Sequence, residues 1–170
     1  CKMQNPSWTL RYRLRLSSLY HLKRARFYDL WEKWAQAISI LASTTALTQL
    51  VQGNTLMQVW ATVAVAVVST LQLVFQPANK THLHADIAKD TRQLLARVEE
   101  AGSRATPEQE DHWRGQLMEI ESTEPSALSA LVAECQYQLA LAVPDADRPP
   151  RPSWLRRRLM HFVDFSPETP

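Results

Sequence analysis

The chain has 170 residues, with 19 Lys and Arg, 17 Asp and Glu, three Gly and two Cys, which is enough for one domain with appendages. Three glycines are too few for a turn-rich β-sandwich, and no G-x-G-x-x-G or G-x-x-x-x-G-K-[ST] string offers a phosphate loop. Two cysteines 134 residues apart exclude a disulfide scaffold and a cysteine zinc site.

The net charge of +2 is small but unevenly spread. Residues 1–33 hold eight basic side chains against Asp29 and Glu32, a net +6. From about residue 7, Leu16, Leu19, Phe27, Leu30 and Trp34 recur at helical spacing, interrupted at Lys23. They predict a basic helix that runs into an apolar one. The string Arg11-Tyr-Arg-Leu-Arg-Leu16 alternates as a strand does, so the start of this helix stays open.

No charged residue occurs in the 46 positions between Lys33 and Lys80. Two bilayer-spanning helices and a short turn need roughly 44 residues. Gly53-Asn54 supplies turn chemistry near the middle. The second arm, Leu56 to Gln76, is rich in Val and Leu; the first, Ala35 to Val51, is more polar. A buried hairpin in a soluble bundle is the competing reading, but core helices keep a charged outer stripe and neither arm has one. The positive-inside rule places both termini on the cytoplasmic side of the membrane. Trp31, Trp34 and Trp60 fall where interfacial belts are expected. Ser39, Ala42, Ser43 and Ala46 form a small-residue stripe that Ala61 and Ala64 can face. Thr45, Gln49 and Gln72, with the other hydroxyls, need partners within the hairpin, between protomers, or in a pore.

Pro77 ends or kinks the second arm, and a helix resumes to about Ala101. Thr106-Pro-Glu-Gln109 is a capping-box start, and a further helix is expected from Glu124-Pro125. Residues 80–170 are net −4 and complement the basic N-terminal segment. In the tail, Trp154, Leu155, Leu159, Phe162 and Val163 share a side with Arg156, Arg157 and Arg158 beside them. This suits an interfacial helix and equally a helix docked on the bundle. The expected organisation is a basic helix over 1–34, a transmembrane hairpin over 35–76, a cytoplasmic helical region over 77–146 and a basic amphipathic tail over 147–170.

No catalytic, metal or cofactor pattern stands out. His82 and His84 lie on different sides of a helix, and Cys135 reads as a small core residue. Arg24, Arg26, Lys33, Trp154 and Arg156 to Arg158 are the expected membrane-surface residues. Anionic headgroups and a second copy of the chain are the expected partners, together with a target protein and no nucleic acid.

A basic helix (YHLKRARFYDLWEKW), two uncharged helices whose first arm contains ISILASTTAL, a very short turn, and Thr81-His-Leu-His84 followed by Ile87 and Leu94-Leu95 resemble the SLATT superfamily. The resemblance covers about residues 15–100 and rests on Arg24, Arg26, Ser43 and His84. It implies an all-α, oligomeric two-transmembrane protein with cytoplasmic helical extensions. It further implies a phage-defence membrane effector that forms pores when a sensor component triggers it. The segment 106–170 lies outside it. A non-conducting membrane adaptor, or a phage-encoded exclusion or lysis-related factor, is the alternative that the residues leave open.

Overall fold

The computed structural model describes residues 6–53, 55–124, 126–142, 149–162 and 164, with the side chains of 6 and 49–52 excepted. Among them all regular structure is helical, with no strand. The order is α1 (Pro6–Gln52), α2 (Thr55–Phe75), α3 (Pro77–Ala101), a 3-10 turn (Gly102–Arg104), α4 (Pro107–Ser122), α5 (Ser129–Leu141) and α6 (Trp154–Leu159). The all-α expectation holds.

Helix α1 contains no glycine, and its only proline opens it, where the missing N–H costs nothing. The alternating string at its start is helical. Leu10 and Leu14, four residues apart, are the positions buried there, and Trp8 stacks on Tyr12 at 5.3 Å. Tertiary burial thus overrides the strand-like pattern.

The chain divides into two compact units, Cys1–Arg24 with His84–Pro170, and Ala25–Leu83. In the first unit, Leu10 and Leu14 of α1 pack with Leu94, Val98, Trp113 and Leu117. Tyr20, Leu131 and Cys135 form a second cluster, joined by Leu16, Leu19, Val132 and Met160. Each fully buried aliphatic side chain contributes about 1.5–3 kcal/mol. The charge complementarity expected between the N-terminal segment and residues 80–170 takes the form of Arg13–Glu121 at 2.7 Å and Arg15–Glu99 at 2.6 Å. Both pairs are exposed, and such pairs contribute about 0–1 kcal/mol. Helix α4 begins on the expected capping box: the Gln109 N–H donates to the Thr106 hydroxyl and the Thr106 N–H donates to the Gln109 side chain.

Helix α5 starts at Ser129, four residues after the proline signal suggested. Leu128 is held extended (φ −84°, ψ 114°), and its N–H donates to the Tyr20 hydroxyl at 3.1 Å. The Asp164 carboxylate accepts from the Ser129 N–H and hydroxyl at 3.0 and 2.7 Å. The cap therefore comes from a distant part of the chain, which a local reading does not see.

The second unit holds the rest of α1, α2 and the first turns of α3. Gly53, at φ 72°, permits the left-handed turn after α1. The less exposed positions of α2 include Gln58, Ala61, Val65, Val68 and Gln72, spaced 3, 4, 3, 4, with Ala64 beside them; those of α1 include Ala35, Ser39, Ala42 and Ala46, spaced 4, 3, 4. This is the seam spacing of two helices packed side by side. Trp31 meets Phe75 at 5.9 Å within the unit. Pro77 produces a break rather than a kink. It disfavours a right-handed helical residue before it, and Gln76 sits at φ 44°.

One helix among the described residues is long and apolar enough to cross a membrane. It begins at Thr55, and only 6% of its most apolar window is buried. A soluble core helix can match its length and composition, but it would be mostly buried. The more polar α1 does not meet the same measure, so of the two expected spans this measure finds the second, α2.

Leu14→Ala should lower the unfolding free energy by about 2–5 kcal/mol. Gln76→Gly should raise it by up to about 1 kcal/mol, by removing the left-handed strain of a non-glycine residue. Urea unfolding followed by circular dichroism in a fixed detergent measures both.

Candidate functional site

The second unit presents its apolar side chains outward. Ile40, Leu41 and Leu47 of α1, and Leu56, Trp60, Leu73 and Val74 of α2, are each about two-thirds or more exposed. So large an apolar surface marks contact with lipid or with another protein. Phe27, Leu30, Trp31, Trp34, Ile38 and Leu71 line an open groove of about 350 Å³ that is almost wholly apolar. At one end of α2 the Lys80 ammonium lies 5.6 Å from the Tyr28 ring and 5.9 Å from the Phe75 ring, where cation–π attraction holds it.

Five threonine hydroxyls of this unit are satisfied within their own helices. Thr44, Thr45 and Thr48 donate to the carbonyls of Ile40, Leu41 and Thr45. Thr62 and Thr70 donate to those of Gln58 and Ala66. Such back-bonding lets a hydroxyl enter an apolar medium without another partner. Of the residues singled out in sequence, Ser39, Ala61 and Gln72 fall on the facing seams, with Ala64 half-buried beside them, while Ser43 and Thr45 are exposed. The side chain of Gln49 lies outside the described residues. The Ser39 hydroxyl is buried without a hydrogen-bond partner.

The expected membrane-surface residues do not form one group. Arg24 donates to the His161 carbonyl at 2.9 Å, and Lys33 pairs with Asp29 at 2.7 Å. Arg157 faces Glu134 at 3.8 Å. Arg26, Arg158 and Trp154 are exposed, and Arg156 is half-buried.

A polar centre in the first unit was not anticipated as a group. His21 of α1 and His84 of α3 are almost fully buried, with their Nδ1 atoms 2.8 Å apart and rings stacked at 5.1 Å. His21 Nε2 lies 2.9 Å from a Glu124 carboxylate oxygen. Its N–H is poorly aligned with that oxygen, so the contact is electrostatic rather than a directed hydrogen bond. A 2.8 Å gap between two ring nitrogens holds one proton. Which of the two Nδ1 atoms donates follows from the tautomers of the rings. Nitrogens that face each other do not chelate, and no group of three or more His, Cys, Asp or Glu gathers at metal distance among the described residues. Sequence spacing gave no signal for this pair, because 63 residues separate its members. In the sequence His84 stands out beside His82 and through the family resemblance, not as a partner of His21.

Cys135, His161 and Tyr20 of this unit are shifted from their ordinary values. Burial raises the Cys135 thiol to about 11, with Lys23 opposing and Glu134 adding to the effect. Burial lowers His161 to about 4, helped by the Arg24 and Lys23 charges. Burial likewise raises the Tyr20 phenol.

No protein family, curated protein or solved structure matches this chain.

Two outcomes follow. Native Cys135 should resist iodoacetamide at pH 8, since the reactive thiolate is scarce, and should react on denaturation; mass spectrometry reads the adduct. For His161 the folded value lies below the ordinary 6.5, so the unfolded chain binds more protons between about pH 6.5 and 4. Its contribution is therefore fully present above 6.5 and falls as pH drops towards 4. His161→Gln should flatten that part of a stability–pH curve.

Proposed function

We propose that this chain is an oligomeric bacterial inner-membrane protein whose second unit is a two-helix transmembrane hairpin, with both termini in the cytoplasm. The single observation that carries the membrane reading is α2: 21 residues, uncharged, with almost none of its apolar surface buried. Water is a poor solvent for that surface and a hydrocarbon layer is a good one. The hydroxyls bonded to their own helix carbonyls support the same reading. The basic N-terminal segment supports the orientation.

In this reading the assembly forms or gates a channel-like opening. Two helices enclose nothing alone, so several copies line or seal the conduit. The open groove beside Trp31 and Trp34 leaves each copy with apolar surface for a neighbour. The resemblance to SLATT effectors supports a phage-defence role, with the trigger coming from a partner.

A second reading is a non-conducting membrane adaptor, and one observation favours it. Because Thr45 and its neighbours are already bonded, they do not require pore water. Purified protein in liposomes separates the two. A conduit releases trapped dye, and Thr45→Val with Gln49→Leu changes the rate several-fold. An oligomer that leaves dye retention and membrane potential unchanged excludes the conduit and supports the adaptor.

A further inference from the structure

The tail docks on the first unit by one face only. Arg151 and Arg157 reach Glu134, itself buried, at 3.6 and 3.8 Å. Asp164 caps Ser129. The His161 carbonyl accepts from Arg24. Met160 packs on the Tyr20, Leu131 and Cys135 cluster. The opposite face turns outward: Trp154 is 71% exposed, Leu155 53% and Leu159 38%, with exposed Arg158 one turn from Trp154. Polar groups thus hold the tail while its aromatic and aliphatic groups are left outside, the reverse of ordinary docking. The two sequence readings of the tail, docked and interfacial, are served by its two faces.

We infer that the outward face of α6 is a contact for an anionic lipid surface. Charge selects that occupant. Residues 149–162 contain four arginines and no acid, in a half of the chain that is otherwise acidic; Arg151 and Arg157 are turned to Glu134, and Arg158 is the one exposed on the outward face. An indole at one end of a short helix, aliphatic side chains along it and arginine beside them match the layered headgroup region, where acyl, glycerol and phosphate succeed one another. This inference rests on the membrane reading above: α2 tethers the chain to the bilayer, so even weak partitioning is effective.

The test uses the full chain in nanodiscs of phosphatidylcholine, with and without phosphatidylglycerol. Cys1→Ser is introduced and buried Cys135 is left in place. An environment-sensitive fluorophore is attached at Ser153→Cys or, separately, at Val67→Cys in α2. The Ser153 label should move to an apolar environment in anionic discs and be quenched by nitroxide lipids. Each arginine changes such partitioning about fivefold, so Arg158→Glu should reduce the effect at least that much. Trp154→Ser should also reduce it, with helix content unchanged. Equal signals in both lipids, indifference to Arg158→Glu, or a shift that tracks protein concentration instead of lipid charge would overturn the inference; the last would indicate a second copy on this face. A Val67 label in lipid with an aqueous Ser153 label in anionic discs removes the tail contact alone. An aqueous Val67 label removes the membrane reading and this inference with it.

Discussion

The structure depends on which solvent surrounds the uncharged stretch after Lys33. In water, the outward Leu, Val and Ile of α1 and α2 would each give up about 1.5–3 kcal/mol that burial provides. A domain is stable by only about 5–15 kcal/mol in total. So much exposed apolar surface therefore needs hydrocarbon or another protein against it. The local chemistry agrees with hydrocarbon. Threonine hydroxyls fold back onto carbonyls one turn earlier, and the seams between helices carry alanine and serine, which let backbones approach closely. The buried Ser39 hydroxyl is the exception, and at that position a partner group would be a gain.

The first unit follows different rules. It is a water-type helical core, with leucines at helical spacing and exposed ion pairs at its edge. At its centre is a polar group that such a core normally excludes. The His21–His84 pair ties α1 to α3 through one shared proton, with Glu124 as the adjacent charge. Buried polar centres contribute when fully satisfied and cost when they are not. The pair links α1 to α3, while His21 Nε2 stays without a hydrogen-bond partner beside Glu124.

Much of this was legible in the sequence. The charge gap located α2, the Thr106 capping box started α4, and Pro77 stopped α2. These signals are local, and local chemistry fixes them. The misses have one shared cause, which is distance along the chain. The strand-like alternation at Arg11 is overruled by burial of Leu10 and Leu14 against α3 and α4. The start of α5 is set by Tyr20 and Asp164, neither of which is near Glu124 in sequence. Histidines 63 residues apart carry no pattern that periodicity could find. Of the residues expected at helix packing or a pore, Ser39, Ala61 and Gln72 fall on the seams, because seam spacing follows from helix geometry. Ser43 and Thr45 lie off that seam, exposed, with the Thr45 hydroxyl bonded to its own helix.

The most direct measurement is the reach of a charged, membrane-impermeant maleimide to single cysteines placed along α2 in native membranes. The account predicts labelling near Thr55 and none from about Val63 to Leu73, with access restored only by detergent. Uniform labelling along the helix, together with a chain that stays monodisperse without any amphiphile, would contradict it.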